Sequence, residues 1–304
     1  MAGYSHPKYE HVVRGVSITV IKGADCLRVL DRTVSTKLTE MVNLDRKKTM
    51  FCDANGRVED FATIHIVDDQ VLMVSSQEES TQIRKKLVSG VSWDEDCEVL
   101  DGDQAISQVS LLCPEPREAL SEFGVIVDRI AEDKVLESGD LLFSITELSD
   151  CSLVEILVPS TRLENVLSSL ERFGSQMASK NRWDFLRISK GILSIEDARG
   201  NLPDELGLGE LASLDKGCYP GQEIHARLES RGKTVKQMVR ISSDSKVVTG
   251  KQRVDSVGRI NVTSSQSDGG VNLSLAICPT LDEKLLEVTL ASGGKAVLEP
   301  LNAL

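Results

Sequence analysis

Aromatic residues are scarce in this sequence, at 4% of 304 residues. Hydrophobic residues make up 40% of the chain, so they are mainly aliphatic, and many are β-branched residues that favour sheets. No apolar run approaches the roughly 18 residues of a transmembrane helix, so no membrane span is predicted. Residues 1–10 are polar and lack the apolar core of a secretion signal, which predicts a cytoplasmic protein.

Cysteine pairs with metal-ligand spacing are also absent. The seven cysteines are irregularly spaced, at positions 26, 52, 97, 113, 151, 218 and 278, and none forms a C-x-x-C pair. This spacing matches no recognisable zinc or cluster motif, so no metal site is predicted. A disulfide framework is not expected in a chain of this length without a secretion signal. Most of these thiols are expected to be small buried hydrophobic side chains.

Basic residues are a minority, since 35 Lys and Arg face 47 Asp and Glu and the net charge is −12. A surface this acidic does not attract nucleic acid or an anionic membrane as a whole, so neither is an expected partner.

The order of hydrophobic patterns predicts an α+β protein. A strand pattern occupies residues 17–21, and Asn55-Gly56 is a hairpin signal that precedes an alternating strand containing Asp60. Helices are predicted at residues 35–43, 162–173 and 183–190. Residues 197–216, rich in Gly, Pro and acids, are expected to form a long loop. Valine-rich segments after residue 232 predict a small all-β domain.

Residues 216–223, with the sequence K-G-C-Y-P-G-Q-E, concentrate the reactive groups. Gly217 and Gly221 permit unusual backbone angles or close approach to a ligand. Cys218 follows Lys216 by two residues, and the cation favours a reactive thiolate if the side chain is partly exposed. The residues alone leave open a second interpretation, in which the segment is a turn with a merely buried cysteine.

This run is similar to the K-G-C-[FY]-x-G-Q-E signature of the YgfZ-type proteins, whose mitochondrial relatives assist iron–sulfur cluster assembly. These proteins share a superfamily with the glycine-cleavage aminomethyltransferases. Shorter matches occur in the expected order between about residue 20 and about residue 280. They are residues 53–57 (D-A-N-G-R), 187–192 (R-I-S-K-G-I), 202–205 (L-P-D-E), 226–227 (A-R) with Gly232, 257–264 and 273–277.

The resemblance implies an α+β fold of three domains in a ring, with tetrahydrofolate or a derivative in a central hole. Residues 1–48 and 103–231 would form a discontinuous folate-binding domain. Residues 49–102 would form an inserted α+β domain, and residues 232–304 a C-terminal β-barrel. The implied partners are folate and the client or assembly proteins of iron–sulfur clusters.

The resemblance also implies site residues. Cys218 is the functional thiol and Asp60 a second candidate for catalysis. The cofactor-binding candidates are Asp60, Arg187, Lys216, Gly217, Tyr219, Gly221, Gln222, Glu223 and Arg227. We expect Gln222 and Glu223 to fix the loop through hydrogen bonds. His225 is a candidate proton donor, although a structural role is favoured for a lone histidine.

Two acids of the true aminomethyltransferases separate the functional alternatives. Asp60 matches the first, whereas Ser189 stands where the second grips the pterin. Serine lacks the paired, charge-assisted hydrogen bonds of a carboxylate. The sequence therefore favours a folate-binding accessory protein for iron–sulfur assembly or repair over an aminomethyltransferase, and enzymatic activity is not the favoured interpretation. One thiolate cannot hold a cluster alone, so Cys218 would supply one ligand in a transient complex or form an adduct.

A third alternative, a tRNA-modification factor, is weaker. Residues 225–240 contain one acid, Glu229, among five basic residues: Arg227, Arg231, Lys233, Lys236 and Arg240. Such a segment suits a folate glutamate tail or an RNA phosphate. No aromatic residues accompany these charges for base stacking, and a solvated hairpin is the plainer interpretation.

Overall fold

The computed structural model describes residues 7–76, 80–127, 130–232, 234–282, 285–290 and 293–301, so Lys233 lies outside the described residues. The α-helices are α1 (Cys26–Asp31), α2 (Thr81–Gly90), α3 (Pro116–Ser121), α4 (Leu163–Arg172), α5 (Lys180–Lys190), α6 (Ile195–Ala198) and α7 (Gln222–Arg231). Short 3-10 turns occupy Ser160–Arg162, Pro203–Leu206 and Gly209–Leu211. No helix in these ranges has the length and apolar character needed to cross a membrane.

The strands outnumber the helices and complete an α+β fold, as predicted. They are β1 (Glu10–Arg14), β2 (Ser17–Lys22), β3 (Arg46–Cys52), β4 (Val58–Val67), β5 (Gln70–Ser75), β6 (Glu98–Asp101), β7 (Ile106–Cys113), β8 (Leu136–Ser138), β9 (Leu141–Glu147), β10 (Ser152–Pro159), β11 (Gln176–Met177), β12 (Lys236–Ser243), β13 (Gly250–Val254), β14 (Gly258–Asp268), β15 (Val271–Pro279), β16 (Leu286–Thr289) and β17 (Lys295–Pro300).

The chain divides into two compact units. Unit 1 contains Met1–Met50 and Phe61–Ala178, and unit 2 contains Phe51–Asp60 and Ser179–Leu304. The boundaries therefore fall inside strands β3 and β4, on either side of the turn at Asn55-Gly56. The division into three domains stays a prediction.

Unit 1 is built on two sheets that share apolar packing. One has the strand order β11-β1-β7-β10-β9-β8, with β1 and β11 parallel, and the other has the order β3-β4-β5-β2-β6. Leu157 of the first sheet packs in one buried cluster with Ile18, Leu72 and Val74 of the second. A second cluster, centred on the fully buried Phe143, lies between the first sheet and helices α3 and α4.

Unit 2 contains a six-stranded antiparallel sheet with the order β13-β14-β15-β12-β17-β16. Its buried face includes Val239, Ile241, Val262 and Leu298, which form an aliphatic core with almost no aromatic contribution. The predicted all-β character of the C-terminal segment is confirmed. Its closure into a barrel stays a prediction.

Two local predictions are wrong. Residues 35–43 contain no helix, because Ser35 N–H donates to the Met50 carbonyl (2.9 Å) and Thr36 N–H to the Thr49 hydroxyl (3.1 Å). These bonds to β3 replace the helical ladder. Residues 222–231 form helix α7 instead of a hairpin. Gly221 and Gly232, both with positive φ, bound this helix, and the second is a regular glycine C-cap.

Candidate functional site

The first six residues of the K-G-C-Y-P-G-Q-E segment form a loop that leads directly into α7. Gly221 lies at the junction and is the N-cap of the helix. Gly221 has φ +83°, in the left-handed region that only glycine adopts easily. A Cβ at this position would lie 2.4 Å from Gly56 Cα and 2.8 Å from the Asp53 carbonyl oxygen. The unusual backbone angle expected of this glycine is present, and the residue packs closely on the backbone of the 53–57 turn; a close approach to a ligand stays a prediction.

The side chain of Asp53 stabilises the 53–57 turn. The Asp53 carboxylate accepts from the N–H groups of Asn55 (2.8 Å) and Arg57 (2.9 Å). Gly56 has φ +73°, and a Cβ there would lie 2.8 Å from His225 Nε2. The motifs at residues 53–57 and 216–223, which are far apart in the sequence, thus pack closely against each other within unit 2.

His225 joins the loop and the turn through both ring nitrogens. Nε2 lies 2.8 Å from the Gly56 carbonyl oxygen, and Nδ1 lies 3.0 Å from the Tyr219 hydroxyl. A carbonyl can only accept, so Nε2 carries a proton, and in the neutral ring Nδ1 accepts from Tyr219. Both side chains are buried. The structural role favoured for His225 therefore has a definite form: the ring orients Tyr219, the neighbour of Cys218.

Cys218 and Cys52 both lie in unit 2 and differ in exposure. The side chain of Cys218 is exposed, whereas that of Cys52 is buried. Burial, with the nearby carboxylates of Asp53 and Glu59, raises the pKa of the Cys52 thiol to about 12. Burial also raises the pKa of Tyr219. Cys52 is consequently an inert core thiol, while Cys218 is presented to solvent on an anchored loop.

The charged residues of the signature make weaker contacts. Lys216 Nζ lies over the Tyr219 ring, 5.2 Å from its centroid, which is a cation–π distance. Gln222 Nε2 is 3.4 Å from the Lys216 carbonyl and 3.5 Å from that of Gly217, both long for hydrogen bonds. Glu223 and Arg227 form an exposed ion pair one turn apart on α7. Glu223 thus contacts a residue of α7 and not of the loop, and the predicted roles of Gln222 and Glu223 in fixing the loop, like the cofactor contacts of these residues, stay predictions.

Chemical labelling tests the exposure of Cys218. Of the seven cysteines, Cys97 and Cys151 are half-buried and four are buried. We expect Ellman's reagent to modify one thiol per folded chain rapidly, because the reagent must reach the sulfur. Cys218→Ser should abolish the rapid phase, and Cys97→Ser should leave it intact. A rapid phase that survives in Cys218→Ser would contradict the assignment.

Arg187 is buried in a network that joins α5, α6 and β14 within unit 2. Its Nη1 donates to Asp197 (2.6 Å), its Nε to Asp184 (2.9 Å) and its Nη2 to the Ser264 hydroxyl (2.8 Å). Asp197 also accepts from the Thr263 hydroxyl (2.6 Å). Each guanidinium nitrogen already has a protein partner, so the geometry gives Arg187 a structural role. Its predicted contact with folate stays a prediction.

Asp60 and Ser189, the two positions that separated the functional alternatives, have different surroundings. Asp60 is fully buried in β4 and shares the buried face of that strand with Val58, Ala62 and Ile64, as the alternation predicted. Ser189 donates from its hydroxyl to the Leu186 carbonyl (2.7 Å), one turn back along α5. A catalytic role for Asp60 stays a prediction.

Three of the five basic residues of 225–240 lie close to acids. Arg227 pairs with Glu223, Lys236 Nζ lies 3.9 Å from Glu205 Oε1, and Arg240 Nη2 lies 2.5 Å from Glu299 Oε2. These pairs reduce the positive charge that the segment presents.

Sequence reasoning missed a polar cavity in unit 1. It lies between the two sheets and has a volume of about 50 Å³. This admits a few waters. Polar side chains from six strands line it, among them Arg14, Thr63, His65, Ser75, Gln108, Ser144 and Glu155. The signal in the sequence was Thr63 and His65, two polar residues at alternate positions in the apolar second half of β4.

Two groups in this cavity have defined ionisation. His65 is buried. Its burial, and to a smaller extent the nearby Arg46 cation, lower the pKa of the imidazole to about 4. The ring is thus neutral at pH 7, and Nδ1 has no hydrogen-bond partner among the described residues. Burial raises the pKa of Glu155, but the cations of Arg46, Lys48 and Arg14 outweigh it, and the pKa lies below its ordinary value. Glu155 is therefore a carboxylate.

Comparison with solved structures assigns a known fold to 97% of the chain. Glycine cleavage system aminomethyltransferase T from Bartonella henselae is similar over 97% of this chain and 86% of its own, with a TM-score of 0.80 and 13% sequence identity. The heterotetrameric sarcosine oxidase from Corynebacterium sp. U-96 matches 58% of this chain and 90% of its own at 13% identity, with a TM-score of 0.36 that supports no inference. No family model and no curated protein matches the sequence. The chain has the fold of a glycine-cleavage aminomethyltransferase.

Proposed function

We propose that this protein binds tetrahydrofolate or a derivative and acts as an accessory protein in the assembly or repair of iron–sulfur proteins, with Cys218 as its functional thiol. The observation that carries the proposal is the aminomethyltransferase fold, which extends over 97% of the chain. Aminomethyltransferases use tetrahydrofolate as the acceptor of a one-carbon unit. The three-domain ring, the central folate hole and the cytoplasmic localisation belong to the same proposal.

Folate binding is supported by the fold, which this chain shares with a glycine-cleavage aminomethyltransferase. The unit 1 cavity does not carry this part of the proposal, because about 50 Å³ admits a few waters and not a pterin ring. When bound, tetrahydrofolate would supply a carrier for one-carbon units.

The exposed Cys218 supports the iron–sulfur role. A thiol that donates one ligand to a cluster, or forms an adduct with a client, must reach another protein. Gly221, Tyr219 and His225 anchor the loop that exposes Cys218, while the buried Cys52 of the same unit stays protonated. An anchored, exposed cysteine fits transfer between proteins better than chemistry in a closed site.

The aminomethyltransferase alternative rests on the buried Asp60, since a carboxylate in β4 is the one acid of the transferases that this chain retains. A lipoyl-bound aminomethyl donor supplied with tetrahydrofolate separates the two functions. We expect the folate to bind without formation of a methylene derivative. Turnover that is lost in Asp60→Asn would establish the transferase instead.

Complementation tests the accessory role. In cells that lack the protein, activity of an iron–sulfur enzyme should fall, and the wild-type chain should restore it. We expect Cys218→Ser to fail, because the thiol is the proposed ligand, and the half-buried control Cys97→Ser to succeed. Full restoration by Cys218→Ser would reject the role of the thiol while leaving folate binding untouched.

A further inference from the structure

We propose that Cys26 and Cys97, both in unit 1, form a dithiol that closes into a reversible disulfide, with a small-molecule disulfide such as oxidised glutathione as the oxidant. This pair is distinct from Cys218, which belongs to unit 2, and it takes no part in the proposed folate or iron–sulfur function. In a reducing compartment such a disulfide is transient and responds to oxidation.

The backbone holds together the residues that precede the two cysteines. The Asp25 N–H donates to the Asp96 carbonyl (3.0 Å), and the Asp96 N–H donates to the Asp25 carboxylate (3.0 Å). The approach is so tight that a Cβ on Gly23, which has φ +118°, would lie 2.2 Å from the Asp96 carbonyl oxygen. Cys26 and Cys97, 71 positions apart in the sequence (97 − 26), therefore each follow a residue that is bound to the other segment.

Side chains bind the same two segments a second time. Cys26 begins helix α1, and Arg32, at the C-terminal cap of that helix, donates from Nη1 to the Glu95 carboxylate (2.7 Å). Arg28 Nη2 lies 3.3 Å from the same carboxylate. The helix that carries Cys26 is thus held against the segment that leads into Cys97.

The two thiols are already in contact. A hydrogen bond joins the Cys26 and Cys97 side chains, which shows that both point into the same space. A disulfide can form without large backbone movement only between cysteines oriented in this way. Cys26 is 4% exposed and Cys97 is half-buried, so a small oxidant reaches Cys97 first.

The reaction is two successive thiol–disulfide exchanges. The Cys97 thiolate attacks one sulfur of oxidised glutathione, the S–S bond breaks, and one glutathione leaves as the thiolate. Cys26 then loses its proton and attacks the Cys97 sulfur, which breaks the mixed disulfide and releases the second glutathione. Two protein thiols are oxidised to one disulfide, one glutathione disulfide is reduced to two thiols, and the two protons lost by the protein end on those thiols.

The surroundings assign the two roles and set a slow rate. Burial raises the pKa of Cys97 and the carboxylates of Glu95 and Asp25 add to it, whereas the Cys26 hydrogen bond and the Arg32 cation oppose it. Burial raises the pKa of Cys26 to about 12, and its hydrogen bond with Cys97 acts in the same direction. The bond between the thiols therefore stabilises a Cys97 thiolate and not a Cys26 thiolate. Because both pKa values are raised, the thiolate fraction at pH 7 is small and increases about tenfold per pH unit.

Peptide mapping of the folded wild-type chain tests the proposal. The chain is kept in oxidised glutathione at pH 8 without denaturant, and the remaining thiols are blocked with N-ethylmaleimide before digestion. Trypsin leaves Cys26 on residues 23–28, and a second digestion at acidic residues separates Cys97 from Cys113. We expect a disulfide between the Cys26 and Cys97 peptides that forms about tenfold faster at pH 8 than at pH 7. Dithiothreitol should return both cysteines to thiols.

The exposed Cys218 is the internal control, because glutathione on this residue shows that the oxidant is active. The reaction is followed for about 100 times as long as Cys218 needs. The proposal is wrong if Cys26 and Cys97 both remain thiols at that time, or if Cys97 keeps its glutathione in the wild-type chain. Cys26→Ser, which lacks the second thiol, should keep glutathione on Cys97, and Cys97→Ser should leave the buried Cys26 as a thiol.

Discussion

Replacing Arg187 by methionine is expected to lower the free energy of unfolding by about 3–5 kcal/mol, because it removes one partner of a buried ion pair. The side chains of Arg187 and Asp197 are 8% and 0% exposed. Burial opposes ionisation of Asp197, but the cation and the hydroxyls of Ser264 and Thr263 outweigh it and lower its pKa. Without Arg187 the carboxylate would remain in the core uncompensated. Urea unfolding measures the loss.

The surface pair on α7 provides the matched control. Arg227→Met breaks the ion pair with Glu223, whose side chains are 62% and 76% exposed, and should cost less than about 1 kcal/mol. The comparison also separates the two roles considered for Arg187. If Arg187 serves folate alone, Arg187→Met will weaken folate binding and leave the unfolding transition where it was. That result would contradict the structural assignment.

Gly221→Ala should destabilise unit 2 by about 3 kcal/mol, for two reasons that add. A left-handed backbone costs a residue with a Cβ roughly 1–2 kcal/mol. The new methyl would also lie 2.4 Å from Gly56 Cα, so the 53–57 turn or the start of α7 must move. We expect a lower urea midpoint together with a changed rate of Cys218 labelling, since the displaced segment carries that thiol.

Gly217→Ala, in the same loop, is the control. A Cβ at Gly217 would meet no heavy atom within 4 Å, and the expected change in stability is within about 0.5 kcal/mol. Equal changes in stability for Gly221→Ala and Gly217→Ala would show that the loop and the 53–57 turn are not packed as described.

The sequence predicted those parts of the molecule that local patterns encode. The turn at Asn55-Gly56, the strand that follows it and the helix ending at Gly191 depend on residues close together in the chain, and the structure confirms them. The aminomethyltransferase fold was predicted from short motifs at wide spacing. Helix α7 was missed because its glycine boundaries look the same as turn glycines in a sequence.

Contacts between distant residues could not be predicted in the same way. A glycine at position 221 permits tight packing, but the sequence does not identify Gly56, 165 positions away (221 − 56), as the residue that it packs against. The same holds for the pairing of His225 with Tyr219 and Gly56. The unit 1 cavity takes one or two residues from each of several strands, and only the register between two sheets brings His65 and Glu155 to one space.

Titration with tetrahydrofolate tests the central claim most directly. The account predicts saturable one-to-one binding under nitrogen, with a Tm that rises with ligand concentration because the ligand stabilises the folded state. Absence of binding heat and of any Tm shift for the wild-type chain would contradict the account.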